Sequence, residues 1–287
     1  MNKGFVLILL AALLGACIVP FAKIASHSVP PLSLVFWRTI IASVIFLPIA
    51  IAKKEKISLE EIKKLAPLSA ILSINFVAAM TSVFFIPTSL TPVVYATTPI
   101  ITHIILQIKN KKFKVEKMYA IGTIVGFVGL LLATYQNISL GSEPQKIILG
   151  VLMVLVGVIC FSYYGVRSKE YQKDLSPLQI SWINVIVIAM IMLPFGIYDI
   201  FRSNYLEKVD STEILALLGV ALFGSVLNYL VYQYAVKHTS PSIAALFTYI
   251  QPIFGVAISI LLIGETITPI FLIGGTMALL GAYIASK

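Results

Sequence analysis

Long apolar runs separated by short polar or charged segments repeat along the whole chain. Ten of these runs are about 20 residues long, the length that an α-helix needs to cross a hydrocarbon layer. The predicted spans are 4–25, 31–52, 66–86, 90–108, 117–135, 147–166, 177–198, 213–235, 241–263 and 267–285. Because lipid offers the backbone no hydrogen-bond partner, and no run alternates at period two, the pattern predicts an all-α polytopic membrane protein of ten transmembrane helices.

The composition agrees with this pattern. Of the 287 residues, 59% are hydrophobic and 11% are charged, against about 45–50% apolar residues in soluble domains. The net charge of +9 lies in short clusters between the apolar runs, which favours lipid headgroups and disfavours nucleic acid as the partner. The two cysteines lie inside apolar runs without metal-ligand spacing, so we expect neither a metal nor a cofactor.

The distribution of Lys and Arg predicts the orientation of the spans. With a cytoplasmic N-terminus, 16 of the 21 basic residues fall on the inner side, four fall on the outer side, and Arg38 lies within the second span. Short cytoplasmic loops carry an excess of Lys and Arg. We therefore expect a multi-pass protein of the cell membrane with both termini in the cytoplasm, and a count of nine or eleven spans is disfavoured.

The N-terminal segment has a second interpretation. The residues "LGAC" at 14–17 look like a lipoprotein cleavage signal, which would make Cys17 a lipid anchor. The apolar run continues past Cys17 through "IVPFA" and is then long enough to span the bilayer. We therefore expect an intact first span here.

The chain contains an internal repeat. "PLSLVFWRTIIASVIFLP" (31–48) aligns without a gap with "PLQISWINVIVIAMIMLP" (177–194), at a lag of 146 residues, and 122–133 aligns with 274–285 at lags of 152 and 153. We predict a first five-helix repeat at 1–136, an outside linker at 137–146 and a second repeat at 147–287. Because five is odd, the second repeat is expected to be inverted, with a site near the midplane where the halves meet.

Several stretches carry a resemblance to a known family. They are "LLGACIVPFAKIA" (13–25), "FWR" (36–38), "CFSYYGVRSK" (160–169) and "HTSPSIAALFTYIQPIFGVAISILLIGE" (238–265). The chain resembles the ten-span EamA-type proteins of the drug/metabolite transporter (DMT) superfamily. Leu14 stands where the family has Trp, and Lys112 stands near the position that matches Glu265. The resemblance implies a ten-helix transporter that exports or exchanges small metabolites, amino acids among them.

Arg38 is the one charged side chain in the middle of a predicted span. A charge at mid-membrane costs about 2.5–3.5 kcal/mol on insertion scales, so such a residue is a functional candidate. One interpretation is structural, with the guanidinium reaching the interface or holding helix carbonyls. The other is a counter-charge for a substrate carboxylate. The repeat places Asn184 at the matching position, which favours a task confined to one half.

Further polar residues within the spans are candidates for a substrate cavity. Besides Arg38, the predicted set is Asn75, Thr98, His103, Tyr163, Trp182, Asn184, Asn228, Tyr232 and Gln251. Asn228 and Tyr232 are four residues apart and should share a helix face. His103 is the first candidate for proton coupling within a span, and a packing role stays open beside it. All 12 acidic residues fall in loops or at span ends, which disfavours the antiport of cationic drugs.

Proline and glycine positions predict bends and close helix contacts. Pro99 and Pro252 match across the repeat and are expected to kink their helices near the cavity. The packing candidates are Gly122, Gly126, Gly129, Gly274 and Gly281. Their spacing allows helices to approach closely, either within one chain or across a homodimer.

The sequence thus predicts a secondary transporter for a small metabolite, such as an amino acid, that works by alternating access. No H-E-x-x-H or G-x-S-x-G motif is present, and we identify no catalytic residue, so the alternative of a membrane-embedded enzyme is weaker. A non-transporting membrane scaffold is a further alternative. Within transport, nucleotide-sugar and drug transporters are the alternatives.

Overall fold

The computed structural model describes residues 3–111, 117–140 and 143–285, and these residues form helices without any β-strand. Eight helical segments are long and apolar enough to cross a membrane. Two shorter apolar helices, Ala120–Ala133 and Pro269–Gly281, correspond to the fifth and tenth predicted spans. The predicted all-α, ten-helix membrane architecture is thereby confirmed. Lys112 and part of the predicted linker, residues 141–142, lie outside the described residues.

The helices follow the predicted order, and several spans are built from more than one helix. Spans 1 to 5 are Lys3–Ala16 with Ile18–Ala25, Pro31–Lys53, Leu59–Ser82, Leu90–Tyr95 with Thr98–Lys109, and Lys117–Leu140. Spans 6 and 7 are Pro144–Tyr171 and Pro177–Ser203, followed by a 3₁₀ turn at Tyr205–Glu207. Span 8 is Ser211–Gly219, a π-helix at Val220–Asn228, and Tyr229–His238. Spans 9 and 10 are Pro241–Ala245 with Phe247–Ile263, and Pro269–Ala285.

Helix starts explain where the structure extends the predicted spans. Span 3 begins at Leu59 rather than at 66, because Ser58 and Glu61 form a capping box that satisfies backbone N–H groups at the helix start. Ser176 with Gln179, and Asp210 with Glu213, do the same for spans 7 and 8. Glu60 and Glu61, which precede the predicted start of span 3, therefore belong to its first helical turn.

Spans 5 and 10 pack against each other backbone to backbone. A Cβ atom added to Gly274 would lie 2.6 Å from the backbone N of Ala133 and 2.7 Å from the carbonyl O of Gly129. Gly281 lies in the same way against the backbones of Gly122 and Gly126. The glycine face is thus used within one chain, and the homodimer stays a prediction.

Three of the described spans are each divided into two α-helices. Span 4 is divided at Ala96 and Thr97, just before Pro99. Pro99 has no N–H for the Tyr95 carbonyl, which instead accepts from Thr98 Oγ1 at 2.6 Å. Span 9 is divided near its start, at Leu246, and Pro252 lies inside its second helix, where a kink stays a prediction. Span 1 is divided at Cys17.

A carboxylate joins spans 9 and 4 at one end of the bundle. Gly264 ends span 9 in the left-handed conformation, at φ +69°, where glycine is the favoured residue. The next residue, Glu265, accepts hydrogen bonds from Thr88 Oγ1 at 2.6 Å and from Ser89 Oγ at 2.8 Å, ahead of span 4. By the predicted orientation this contact lies on the outer side.

Candidate functional site

A small polar cavity lies at the centre of the bundle. Spans 1, 2, 3, 4, 6, 8 and 9 contribute side chains to its wall. Its polar wall residues are Arg38, Asn75, Tyr95, Asn228, Tyr229 and Gln251. The volume of about 50 Å³ holds a few water molecules, whereas ordinary ligand pockets measure about 300–1,000 Å³. A metabolite can therefore enter only if the surrounding spans move apart.

Arg38 is the charged group of this cavity, and it is 2% exposed. Its Nε atom donates to the hydroxyl of Ser225 in span 8 at 2.9 Å. Its Cζ atom lies 4.3 Å from the ring centre of Phe76, a cation–π arrangement. Among the described residues the guanidinium has no acidic partner. The terminal N–H groups of a buried cation are thus available to a ligand in the cavity.

The part of span 8 that meets Arg38 is π-helical. The π-helix Val220–Asn228 has one residue more per hydrogen-bonded turn than an α-helix, and such segments are frequent at functional sites. It brings Ser225 to Arg38, and it brings Gly224 so close that an added Cβ would lie 3.1 Å from Arg38 Nη2. Gly224 therefore leaves the space that the guanidinium occupies.

Two asparagines on the cavity wall make matching hydrogen bonds. Asn75 in span 3 donates to the carbonyl of Gly157 in span 6 at 3.0 Å. Asn228 in span 8 donates to the carbonyl of Ala11 in span 1 at 2.7 Å. The two donors are 153 residues apart and the two acceptors 146, which are the lags of the sequence repeat. Each predicted half thus holds the first span of the other through one asparagine.

Gly15 in span 1 lets two amide side chains reach the cavity. A Cβ atom there would lie 3.0 Å from Asn228 Nδ2 and 3.3 Å from the side chain of Gln251. Gln251, in span 9, is 7% exposed and lines the cavity. The glycine of the "LGAC" stretch is therefore a wall residue of the site.

Aromatic rings form the apolar part of the cavity wall. Phe161 in span 6 packs edge to face against Tyr229 and Phe247, with ring centres 6.2 Å apart in both pairs. Phe76 packs against Tyr229 at 5.1 Å. Tyr229 also donates to Asn75 Oδ1 at 3.3 Å. Aromatic rings therefore line the cavity beside its polar groups.

Asn184, which the repeat matches to Arg38, lies in a different buried cluster. Its Oδ1 accepts from Ser69 Oγ at 2.7 Å, and its Nδ2 donates to the Tyr164 hydroxyl. Gln233 Nε2 donates to the same hydroxyl at 2.6 Å. We call Ser69, Tyr164, Asn184 and Gln233 the Tyr164 network. Each of the four is at most 1% exposed and has a partner inside the network.

The remaining sequence candidates lie elsewhere and do not line the central cavity. Thr98 donates to the Tyr95 carbonyl, Trp182 Nε1 donates to the Ser43 carbonyl at 3.2 Å, and Tyr163 is 37% exposed on the outside of the bundle. Tyr232 is buried against Phe161 and Phe247. His103 pairs with Gln107, one helical turn further on, at 2.6 Å. The structure thus brings together Arg38, Asn75, Asn228 and Gln251 from the predicted set.

Other wall residues were not in the predicted set. They are Gly15, Ile18, Val19, Phe76, Ala79, Phe161, Tyr229 and Phe247. One signal was available for two of them, because Asn75–Phe76 and Asn228–Tyr229 form the same asparagine–aromatic pair at the lag of 153. The apolar residues carry no such signal, since nothing in the sequence separates a cavity-facing Val from a lipid-facing one.

The chemistry of the cavity is that of binding. Among the described residues, no group of three or more His, Cys, Asp or Glu side chains could hold a metal ion. The wall offers a cation, neutral amides, hydroxyls and aromatic rings. A helix bundle that crosses the membrane around such a cavity defines a multi-pass membrane protein with a central cavity.

Comparison with known proteins places the chain within a family. A model of the EamA-like transporter family matches residues 2–135 and again residues 148–287. The chain belongs to the EamA-like transporter family and is a membrane transporter, which confirms the resemblance drawn from the sequence. A solved crystal structure covers 99% of this chain and 96% of its own length with a TM-score of 0.70. At 13% identity, that likeness concerns the fold alone.

Relatives from several bacteria share this class. An uncharacterized transporter of Bacillus subtilis, YyaM, is 26% identical over 261 residues, which are 89% of this chain and 84% of that protein. An uncharacterized transporter of Clostridium kluyveri is 24% identical and covers 99% of this chain and 93% of its own. The uncharacterized inner membrane transporter YedA of Escherichia coli K12 is 23% identical over 64% of this chain and 57% of its own.

Proposed function

We propose that the protein is a secondary transporter that moves a small carboxylate-bearing metabolite out of the cell by alternating access, with amino acids as the first compounds to test. Membrane transport in general follows from the family. The carboxylate cargo, the outward direction of transport and the alternating-access mechanism are our proposal. They rest on the central cavity and on the predicted orientation of the spans.

The observation that carries the proposal is the state of Arg38. A buried guanidinium without an acidic partner costs several kcal/mol, and a bound anion removes that cost. The planar guanidinium can hold both oxygens of a carboxylate at once. The structural interpretation, in which Arg38 holds helix carbonyls, is less well supported, because its described hydrogen bond goes to the Ser225 hydroxyl.

Two features support alternating access. The cavity is too small for a metabolite in this conformation, so the spans around it must separate on loading and release. Asn75 and Asn228 hold the first spans of opposite predicted halves, next to the cavity. A rocking of the halves about this region would open the cavity to one side and then to the other.

A second cleft favours anions as well. By the predicted orientation, this cleft of about 620 Å³ lies at the cytoplasmic ends of spans 4, 6, 8 and 9 and carries Lys109, Lys169, Lys173 and Lys237. Glu170 is its acidic residue and pairs with Lys109. A cleft with a net positive charge raises the local concentration of anions at this end of the bundle.

Flux through liposomes tests the proposal. Purified protein reconstituted with a labelled carboxylate inside should release it faster than empty liposomes, and the methyl ester should compete poorly with the acid. Arg38→Ala and Arg38→Lys should weaken binding of the acid more than binding of the ester, because both remove the two-pronged contact. Arg202→Ala is the matched control, since Arg202 lies at a span end beside Tyr198.

Equal losses for acid and ester in the Arg38 variants would leave only a structural role for this residue. Collapse of both variants in size-exclusion chromatography, with intact Arg202→Ala protein, would lead to the same conclusion. A lack of flux for every carboxylate, with a well-folded protein, would contradict the proposed cargo class.

A further inference from the structure

The charge balance of the cavity is uneven. Its wall contains one permanent cation, Arg38, and no carboxylate, and every one of its wall residues is among the described residues. The neutral polar groups are partly committed to the protein. Asn75 gives both amide hydrogens to Tyr95 and to the Gly157 carbonyl, and its oxygen accepts from Tyr229. Asn228 donates to the Ala11 carbonyl.

A zwitterionic ligand would bring a second cation into this space. In an α-amino acid the ammonium nitrogen is two bonds from the carboxylate carbon, so a carboxylate held by Arg38 leaves the ammonium within a few ångströms of the guanidinium. Amide oxygens of Asn228 and Gln251 can accept from an ammonium but cannot balance its charge. An unbalanced charge removed from water is strongly disfavoured.

The aromatic wall does not supply the missing counter-charge near Arg38. The ring face closest to the guanidinium is that of Phe76, and Arg38 itself already lies over it at 4.3 Å. Phe161 packs edge to face with Tyr229 and Phe247, so the edges and faces of these rings are partly used. They suit an uncharged apolar group on the ligand.

We propose that the cavity binds its cargo as a net monoanion, a small carboxylate with an apolar or aromatic body and no free α-ammonium group. The inference rests on the proposed function and narrows its cargo class. The preference follows from the charge of Arg38, whose neighbour Ser225 is neutral and accepts from Arg38 Nε at 2.9 Å.

Matched ligands test this inference on the purified full-length protein. L-phenylalanine is compared at neutral pH with hydrocinnamate, which lacks the ammonium group, with N-acetyl-L-phenylalanine, and with phenylethylamine, which lacks the carboxylate. Leucine and isocaproate form an aliphatic pair. Isothermal titration should give hydrocinnamate and isocaproate at least about tenfold lower Kd values than their amino acids. Phenylethylamine should not bind.

A substitution beside Arg38 should remove this preference. Ser225→Asp places a carboxylate next to the guanidinium, so the cavity becomes neutral, and affinity for hydrocinnamate should fall by about tenfold or more. Ser225→Ala is the control, because it keeps the cavity charge and should keep the preference. Circular dichroism and size-exclusion chromatography check that both variants are folded.

The outcomes separate this inference from the proposed function. If L-phenylalanine binds as tightly as hydrocinnamate, and binding still needs Arg38 and the carboxylate, the monoanion inference is wrong and the proposed function stands. If Ser225→Asp protein still prefers hydrocinnamate to L-phenylalanine, the monoanion inference is wrong and the proposed function stands. If phenylethylamine binds as well as hydrocinnamate, or no carboxylate of the set binds at all, both are wrong.

Discussion

The central cavity and the Tyr164 network are two buried polar clusters built largely from the same helices. Spans 3, 6 and 8 contribute to both, through Asn75, Phe161 and Asn228 in the cavity and through Ser69, Tyr164 and Gln233 in the network. The cavity wall contains a charge, Arg38, that has no acidic partner among the described residues. The network is neutral, and each of its members has a partner within it.

We interpret the charged cavity as a ligand-binding cluster and the neutral Tyr164 network as a cluster that holds helices together. A buried neutral network with its hydrogen bonds made fixes the helices that it joins. A buried cation without a counter-charge opposes folding and persists where function requires it. We therefore propose different roles for the matched positions 38 and 184, Arg38 in binding and Asn184 in packing.

The largest expected effect follows from breaking the Tyr164 network. Asn184→Leu keeps the side-chain size but removes the hydrogen bonds of Asn184 to the Ser69 and Tyr164 hydroxyls, each of which keeps one other partner. We expect the free energy of unfolding to fall by about 1–2 kcal/mol, because two buried hydrogen bonds are lost. Unfolding by denaturant in detergent measures this loss.

The same variant should keep the ligand preference of the cavity. If Asn184→Leu protein discriminates acid from methyl ester as well as the unchanged protein does, the two clusters are separate. A changed ratio of acid to ester affinity, with unfolding unaffected, would reverse the roles that we assign to them.

Replacement of Arg38 is expected to raise the free energy of unfolding. Arg38→Met removes a buried charge and fills its place with an apolar side chain, so the free energy of unfolding should rise by about 1 kcal/mol. Carboxylate binding should disappear in the same protein. Thermal unfolding with and without hydrocinnamate measures both effects, and a clear loss of stability in Arg38→Met would show that the guanidinium supports the fold.

The spans could be predicted from the sequence because lipid imposes a length and an apolar composition on every helix that crosses it. Arg38 could be singled out for a related reason, since a charge inside such a run is rare. Gly264 and Glu265 were visible as a motif. The contact of Glu265 with Thr88 and Ser89 could not be predicted, because these residues are 177 and 176 positions away along the chain.

The faces of the helices were harder to predict. We expected Asn228 and Tyr232 to share a face, and Tyr232 packs against Phe161 and Phe247, two residues of the same cavity wall as Asn228. The π-helix that ends at Asn228 was not expected, and it changes the register between the residues before it and those after it. Because a span is apolar on every side, its sequence shows no amphipathic periodicity that would reveal a change of register.

Gly15 offers a finer test of the cavity, with a smaller expected effect. In Gly15→Ala the new Cβ would lie 3.0 Å from Asn228 Nδ2, so the amide must shift by a few tenths of an ångström into the cavity. We expect affinity for bulky carboxylates such as hydrocinnamate to fall severalfold, while that for acetate changes little, because only the larger body needs the lost space. Gly255→Ala is the matched control, since its Cβ would meet Pro92 at 3.2 Å and Gly255 does not line the cavity. Equal affinity losses in both variants would place the effect in helix packing and remove Gly15 from the site.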